Sequence, residues 1–111
     1  MRVVFHIHDE SMWITCLANV KNFLEMGQDE QEIKVEVVAN GPAIKGYLNG
    51  SICQKIEHFI QTDHVTFSSC QKAMVNQGIK ESDFLTKITI VPSGVFRLVE
   101  LQQQKFAYIK V

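Results

Sequence analysis

No Cys-x-x-Cys pair occurs in this sequence, and its three cysteines, Cys16, Cys53 and Cys70, form an odd and scattered set. Such a set builds neither a disulfide framework nor a zinc ribbon or thioredoxin-type motif, so reduced thiols in a cytoplasm are the expectation. No apolar run approaches the roughly 20 residues that a bilayer-spanning helix needs. The opening segment turns polar at His6, His8, Asp9 and Glu10, before a signal-peptide core is complete, so no membrane partner is expected. An excess of basic charge is also lacking: 11 Lys and Arg stand against 12 Asp and Glu, a net charge of −1. A nucleic-acid binder built on counterion displacement needs a dense positive face, so nucleic acid is not an expected partner. The phosphate-cradling fingerprints are missing too. There is no GxGxxG, and although 41–46 has Walker-type glycine spacing, Tyr47 and Leu48 stand where Lys and Ser/Thr are required. A phosphatase- or rhodanese-like loop needs an arginine where Asn76 follows Cys70.

What remains is an ordinary globular composition. The 111 residues are 46% hydrophobic and 21% charged, which fits one folded domain over 1–111. Residues 2–8 read as a buried strand. Ser11 stands as an N-cap before a helical stripe of Trp13, Cys16, Leu17, Val20, Phe23 and Leu24, which Gly27 would end in a left-handed conformation. Residues 33–39 predict a second strand, and Asn40-Gly41-Pro42 a turn into a short helix broken near Gly46 and Gly50. A further helix carries Ile52, Ile56, Phe59 and Ile60. A third strand covers 65–69, a helix 70–77 is closed by Gly78, and a fourth strand covers 88–91. Pro92-Ser93-Gly94 leads into a helix with Val95, Leu98, Val99 and Gln102 on its buried side, and 106–111 is a short fifth strand.

Strands alternating with helices predict a three-layer α/β/α sandwich around a mainly parallel five-stranded sheet, because parallel neighbours require crossover connections. Ligands of such sheets bind beyond the carboxyl ends of the strands. Here those ends are His8-Asp9, Asn40-Gly41, Ser69-Cys70 and Pro92-Ser93-Gly94.

Cys70 is the most informative residue of that rim. At a strand-to-helix junction its sulfur can face the first free amides of the helix, which favour an anionic sulfur. The competing reading is a small buried Cys that fills space, which suits Cys16 and Cys53 better. His6 and His8 are two apart on a strand and point to one face. With Asp9 or His64 they would make a weak metal set, and no metal is assigned. His8, nearer the strand end, is the better candidate for hydrogen bonding or proton transfer. A papain-type Cys–His pair stays open, because the histidines are unplaced in space. Asn40-Gly41 and Ser93-Gly94 can present backbone N–H groups to an anion, although turn chemistry alone selects the same residues.

The run 65–73 (Val-Thr-Phe-Ser-Ser-Cys-Gln-Lys-Ala), followed by Gly78-Ile79, resembles the strand–Cys–helix segment of the DsrE/DsrF-like family. The shared pattern is an apolar strand, a Cys, Ala three residues later, and Gly-Ile or Gly-Val after the helix. The opening strand, the turn over 37–43, the run 91–95 and the terminal segment 101–110 look like the family's small stand-alone branch, related to the sulfur-relay subunit TusD. The resemblance spans nearly the whole chain. It implies the DsrEFH-like fold, acceptance of a persulfide at the position of Cys70, and assembly as a homo-oligomer, commonly a trimer or a hexamer.

Two functional readings follow. In the first, a cytoplasmic DsrE-like protein uses Cys70 as a sulfur acceptor or redox-active thiol, with no cofactor, exchanging sulfur with a donor or acceptor protein. The turns at Asn40-Gly41 and Ser93-Gly94 supply N–H groups and His8 tunes the site. In the second, a non-catalytic oligomeric module binds a small ligand or partner at the rim, and Cys70 is packing.

Overall fold

Five apolar segments are strands in the computed structural model, which describes residues 1–111. They are β1 (Arg2–Ile7), β2 (Lys34–Ala39), β3 (Val65–Cys70), β4 (Thr89–Val91) and β5 (Ala107–Lys110). One sheet holds them in the order β4-β3-β2-β1-β5. Every neighbouring pair is parallel, so the expected mainly parallel sheet is wholly so. The helices are α1 (Trp13–Met26), α2 (Gly50–Ile60), α3 (Gln71–Gln77) and α4 (Gly94–Gln103). None is long and apolar enough to cross a membrane.

The strand order dictates where each helix lies. From β1 to β4 the chain steps in one direction, and right-handed crossovers put the intervening helices on one face. The return from β4 to β5 runs the other way across the sheet and carries α4 to the opposite face. Alternation along the strands shows the result. Val3, Phe5, Ile7, Val35, Val37 and Phe67 pack with residues of α1, α2 and α3 in a cluster of 22 buried residues. The alternate positions Val4 and Val38 meet Leu98 and Leu101 of α4 in a buried cluster of four, with half-buried Phe106 packed against it. The sheet is thus covered thickly on one side and thinly on the other.

Three local expectations are corrected. Ser11 does not cap α1: residues Glu10–Met12 form a 3-10 turn, and the helix starts at Trp13, whose indole N–H donates to Ala43 O at 2.8 Å. Gly27 is not left-handed (φ −93°), because the chain leaves α1 through an ordinary turn. Its lack of a side chain makes room for Ile33 instead. On α4, Val95, Val99 and Gln102 are exposed, and the buried face carries Gly94, Leu98 and Leu101. The helix is rotated because Arg97 must also face the sheet.

Arg97 reaches Glu36, a carboxylate buried at the centre of the thin face. Its Nη2 and Nε donate to the two carboxylate oxygens at 2.8 and 2.9 Å, and Ser68 Oγ–H donates to one of them at 2.9 Å. The bond to Glu36 pushes the Arg97 guanidinium further above its ordinary range. Breaking such a pair from one side leaves an uncompensated buried charge, whereas replacing both partners with apolar residues is often neutral. Arg97→Met should therefore cost roughly 3 kcal/mol in urea unfolding, and Glu36→Leu with Arg97→Met should recover most of that loss.

The thick core sets the alkaline limit of the fold. Burial pushes the Cys16 thiol up to about 12, and burial also raises Tyr47, whose hydroxyl donates to Ser68 O at 2.9 Å. In an unfolded chain these groups release their protons near pH 8.5 and 10, about where model thiols and phenols titrate. The folded state then holds more protons in that window, so stability is intact below it and declines as pH rises toward 12. A falling melting temperature from pH 8 to pH 11, with a shallower fall in Cys16→Val, is the expected result.

Candidate functional site

The even-numbered positions of β1 and β2 point toward α4, and at their carboxyl ends this register delivers His6, His8 and Asn40 to one place. Asn40 Oδ1, a carbonyl oxygen, can only accept. His6 Nε2–H donates to it at 3.0 Å and His8 Nδ1–H at 3.2 Å. With Nε2 protonated, a neutral His6 ring accepts at Nδ1, and Tyr108 O–H donates there at 2.7 Å. The His6 and Tyr108 rings lie tilted, with centroids 5.8 Å apart. The expectation that His6 and His8 share a face is met. A metal set including His64 does not assemble, because His64 precedes β3 at the opposite end of the sheet.

Gly41 carries the turn beneath His8. Its φ is +54°, and a Cβ there would come 2.3 Å from His8 Cε1, so both the backbone conformation and the imidazole require glycine. Gln77, the last residue of α3, donates from Nε2 to Gly41 O at 2.9 Å and ties that helix to the turn. The backbone N–H of Asn40 is committed to Ile7 O at 3.2 Å. What Asn40 offers the rim is therefore its side chain.

Cys70 closes β3 as the N-cap of α3, with extended backbone (φ −70°, ψ 119°) and no hydrogen bond from sulfur to the helix amides. It is 7% exposed, packed at the edge of the larger core. No hydrogen bond joins its sulfur to an imidazole, so a papain-type pair is not formed. Its position is nevertheless distinctive. α3 leaves β3 toward one face and α4 leaves β4 toward the other, which makes the gap between these strand ends the topological switch point where open α/β sheets bind ligands. Cys16 and Cys53 lie elsewhere in the core, and burial raises both thiols.

Across that gap, Ser93 caps α4, its hydroxyl oxygen accepting from Phe96 N at 3.2 Å. Gly94 is buried where a Cβ would lie 3.1 Å from Asn40 Cβ and 3.3 Å from Cys70 Cβ. Asn40, Cys70 and Gly94 thus meet at one point, with His8 and Gly41 joined to it through Asn40. Below Ser93, on the thin face, runs a groove of about 710 Å³ lined by Thr66, Lys72, Thr89, Pro92, Phe96 and Arg97.

Tyr108, Gln77 and the Glu36–Arg97 pair were not singled out by sequence. Tyr108 reaches His6 only because β5 pairs with β1, with Val4 opposite Tyr108, a register invisible before the strand order is known. Gly41→Ala is expected to cost about 1–3 kcal/mol in unfolding free energy, the usual range for strained backbone. It should also shift the His8 imidazole resonances as the bond to Asn40 is lost.

The same architecture occurs elsewhere. The protein MTH1491 of Methanobacterium thermoautotrophicum, of unknown function, superposes with a TM-score of 0.86 at 28% identity, over 99% of this chain and 98% of its own. BT1422 of Bacteroides thetaiotaomicron, also of unknown function, shares the fold at a TM-score of 0.71 and 16% identity, over 97% and 94%. No curated protein matches the sequence. The DsrE/DsrF-like family model matches residues 1–111, and with a whole-length match on this sheet the chain belongs to the DsrE/DsrF-like family.

Proposed function

We propose that this protein carries sulfane sulfur on Cys70, accepting it from a persulfide-bearing donor and passing it to an acceptor thiol. The observation behind this is the placement of Cys70 at the switch point of the sheet, against Asn40 and Gly94, in a chain that matches the family from end to end. In the loading step the Cys70 thiolate attacks the outer sulfur of the donor's R–S–SH. A Cys70–S–SH bond forms, the donor S–S bond breaks, and R–S⁻ leaves and takes a proton from water. Unloading repeats the exchange with the acceptor thiolate, so no outside oxidant or reductant enters. His8, whose Nε2 is left free when Nδ1–H is held by Asn40, is the proton-transfer group in this reading.

Such a carrier works in the cytoplasm and as a homo-oligomer, a trimer or a hexamer in this reading. Exposed Val95, Phe96 and Val99 on α4, with Tyr108 and Ile109 on β5, provide apolar surface for subunit contact. The 7% exposure of Cys70 favours a second reading, a binding module in which this thiol is packing. Persulfide labelling separates the two. Wild type incubated with a low-molecular-weight persulfide should carry one label at Cys70, and Cys70→Ala should carry none. Equal label on both proteins defeats the carrier role.

A further inference from the structure

A planar carboxamide held through its oxygen has one place left for its NH2 group. Asn40 Oδ1 accepts from His6 and His8, and Tyr108 O–H, donating to Nδ1 of the neutral His6 ring, holds that ring in place. Nδ2 then comes 3.7 Å from the position a Cβ on Gly94 would take, the same point that Cys70 Cβ approaches to 3.3 Å. Asn40 is only half-buried, and no protein acceptor takes the Nδ2 protons. Beside it, the Asn40 N–H bonds Ile7 O, and the Ser93 hydroxyl oxygen accepts from Phe96 N.

We propose that the Asn40 carboxamide is the anion-recognition group at the gap between the ends of β3 and β4. Its Nδ2 donates to a negatively charged sulfur or oxygen atom of the small sulfur compound that reacts at Cys70, and His6, His8 and Tyr108 are positioning residues that hold the amide in that orientation. The proposal rests on the reading of Cys70 as the sulfur-carrying residue and names what selects its reaction partner. A neutral donor suits a carrier, because it favours an anion without the tight ion pairing that a Lys or Arg would impose on a species that must leave again. Two imidazole donors on one carbonyl oxygen also polarise the amide and strengthen its N–H groups as donors.

Iodoacetate and iodoacetamide test this, since they share a leaving group and a reacting carbon and differ in charge. Alkylation of Cys70 by each is followed by mass spectrometry of its peptide, so Cys16 and Cys53 do not interfere. In Asn40→Ala the ratio of the iodoacetate rate to the iodoacetamide rate should fall about tenfold, the worth of one hydrogen bond to a charged group. Tyr108→Phe should lower it by less. An unchanged iodoacetamide rate in both variants shows that the fold and the access to Cys70 are intact. An unchanged ratio in Asn40→Ala, with Cys70 still labelled, overturns the role of Asn40 and leaves the carrier reading standing. A fall in the ratio without persulfide uptake at Cys70 removes the carrier reading and keeps the anion site. A Cys70 that neither reagent labels in the folded protein overturns both.

Discussion

The handedness of parallel crossovers is the constraint on which this molecule depends. Three successive steps from β1 to β4 in one direction oblige α1, α2 and α3 to share a face. The single long return to β5 obliges α4 to take the other. From this follow both the uneven thickness of the two cores and the divergence of α3 and α4 from neighbouring strand ends. The gap between the ends of β3 and β4, beside Cys70, is a by-product of that divergence. No specialised loop is needed to make it.

The thin side of the sheet imposes its own conditions. With one helix to cover it, the buried hydrophobic contact is that of Val4, Val38, Leu98 and Leu101, with half-buried Phe106 against them, and the sheet centre between them and β3 is polar. Glu36, Ser68 and Arg97 fill that space by satisfying one another. The pair adds orientation rather than much stability, because desolvating two charges consumes most of their mutual attraction. It fixes the rotation of α4 about its axis. That rotation brings Gly94 against Asn40 and Cys70 and leaves Val95, Phe96 and Val99 to solvent.

Much of this was legible in the sequence because local rules and the tertiary fold agree. The alternating apolar strands, the Asn40-Gly41-Pro42 turn and the left-handed Gly78 all report their own conformations (φ of Gly78 is +67°). Strand ends could be named as the rim before their order was known, and Cys70, Asn40, Gly41, His8, Ser93 and Gly94 do gather there. The missed features are those that depend on which strand lies beside which. Tyr108 becomes a partner of His6 only through the β1–β5 pairing, and the rotation of α4 is set by a buried carboxylate on a strand more than fifty residues away (sixty-one, from Glu36 to Arg97). Apolar periodicity alone places Val95 and Val99 inside, since it does not register that an arginine has a stronger claim to that face. Of the amides expected at Asn40-Gly41 and Ser93-Gly94, that of Asn40 is taken up by Ile7 O, and the Ser93 side chain serves the Phe96 amide of its own helix, because a turn satisfies its own backbone before it serves a ligand.

The bond from Gln77 to Gly41 closes a circuit. Cys70 begins α3, Gln77 ends it, Gly41 adjoins Asn40, and Asn40 returns through Gly94 to Cys70. In mechanical language this is a triangulated truss: each strut is braced by the others, and none can swing alone. The helix that carries the sulfur cannot tilt without drawing on the residue beneath His8. Stiffness of this kind sets the relative positions of Cys70 and Asn40 during folding, so the entropy of aligning them is already lost in the folded chain.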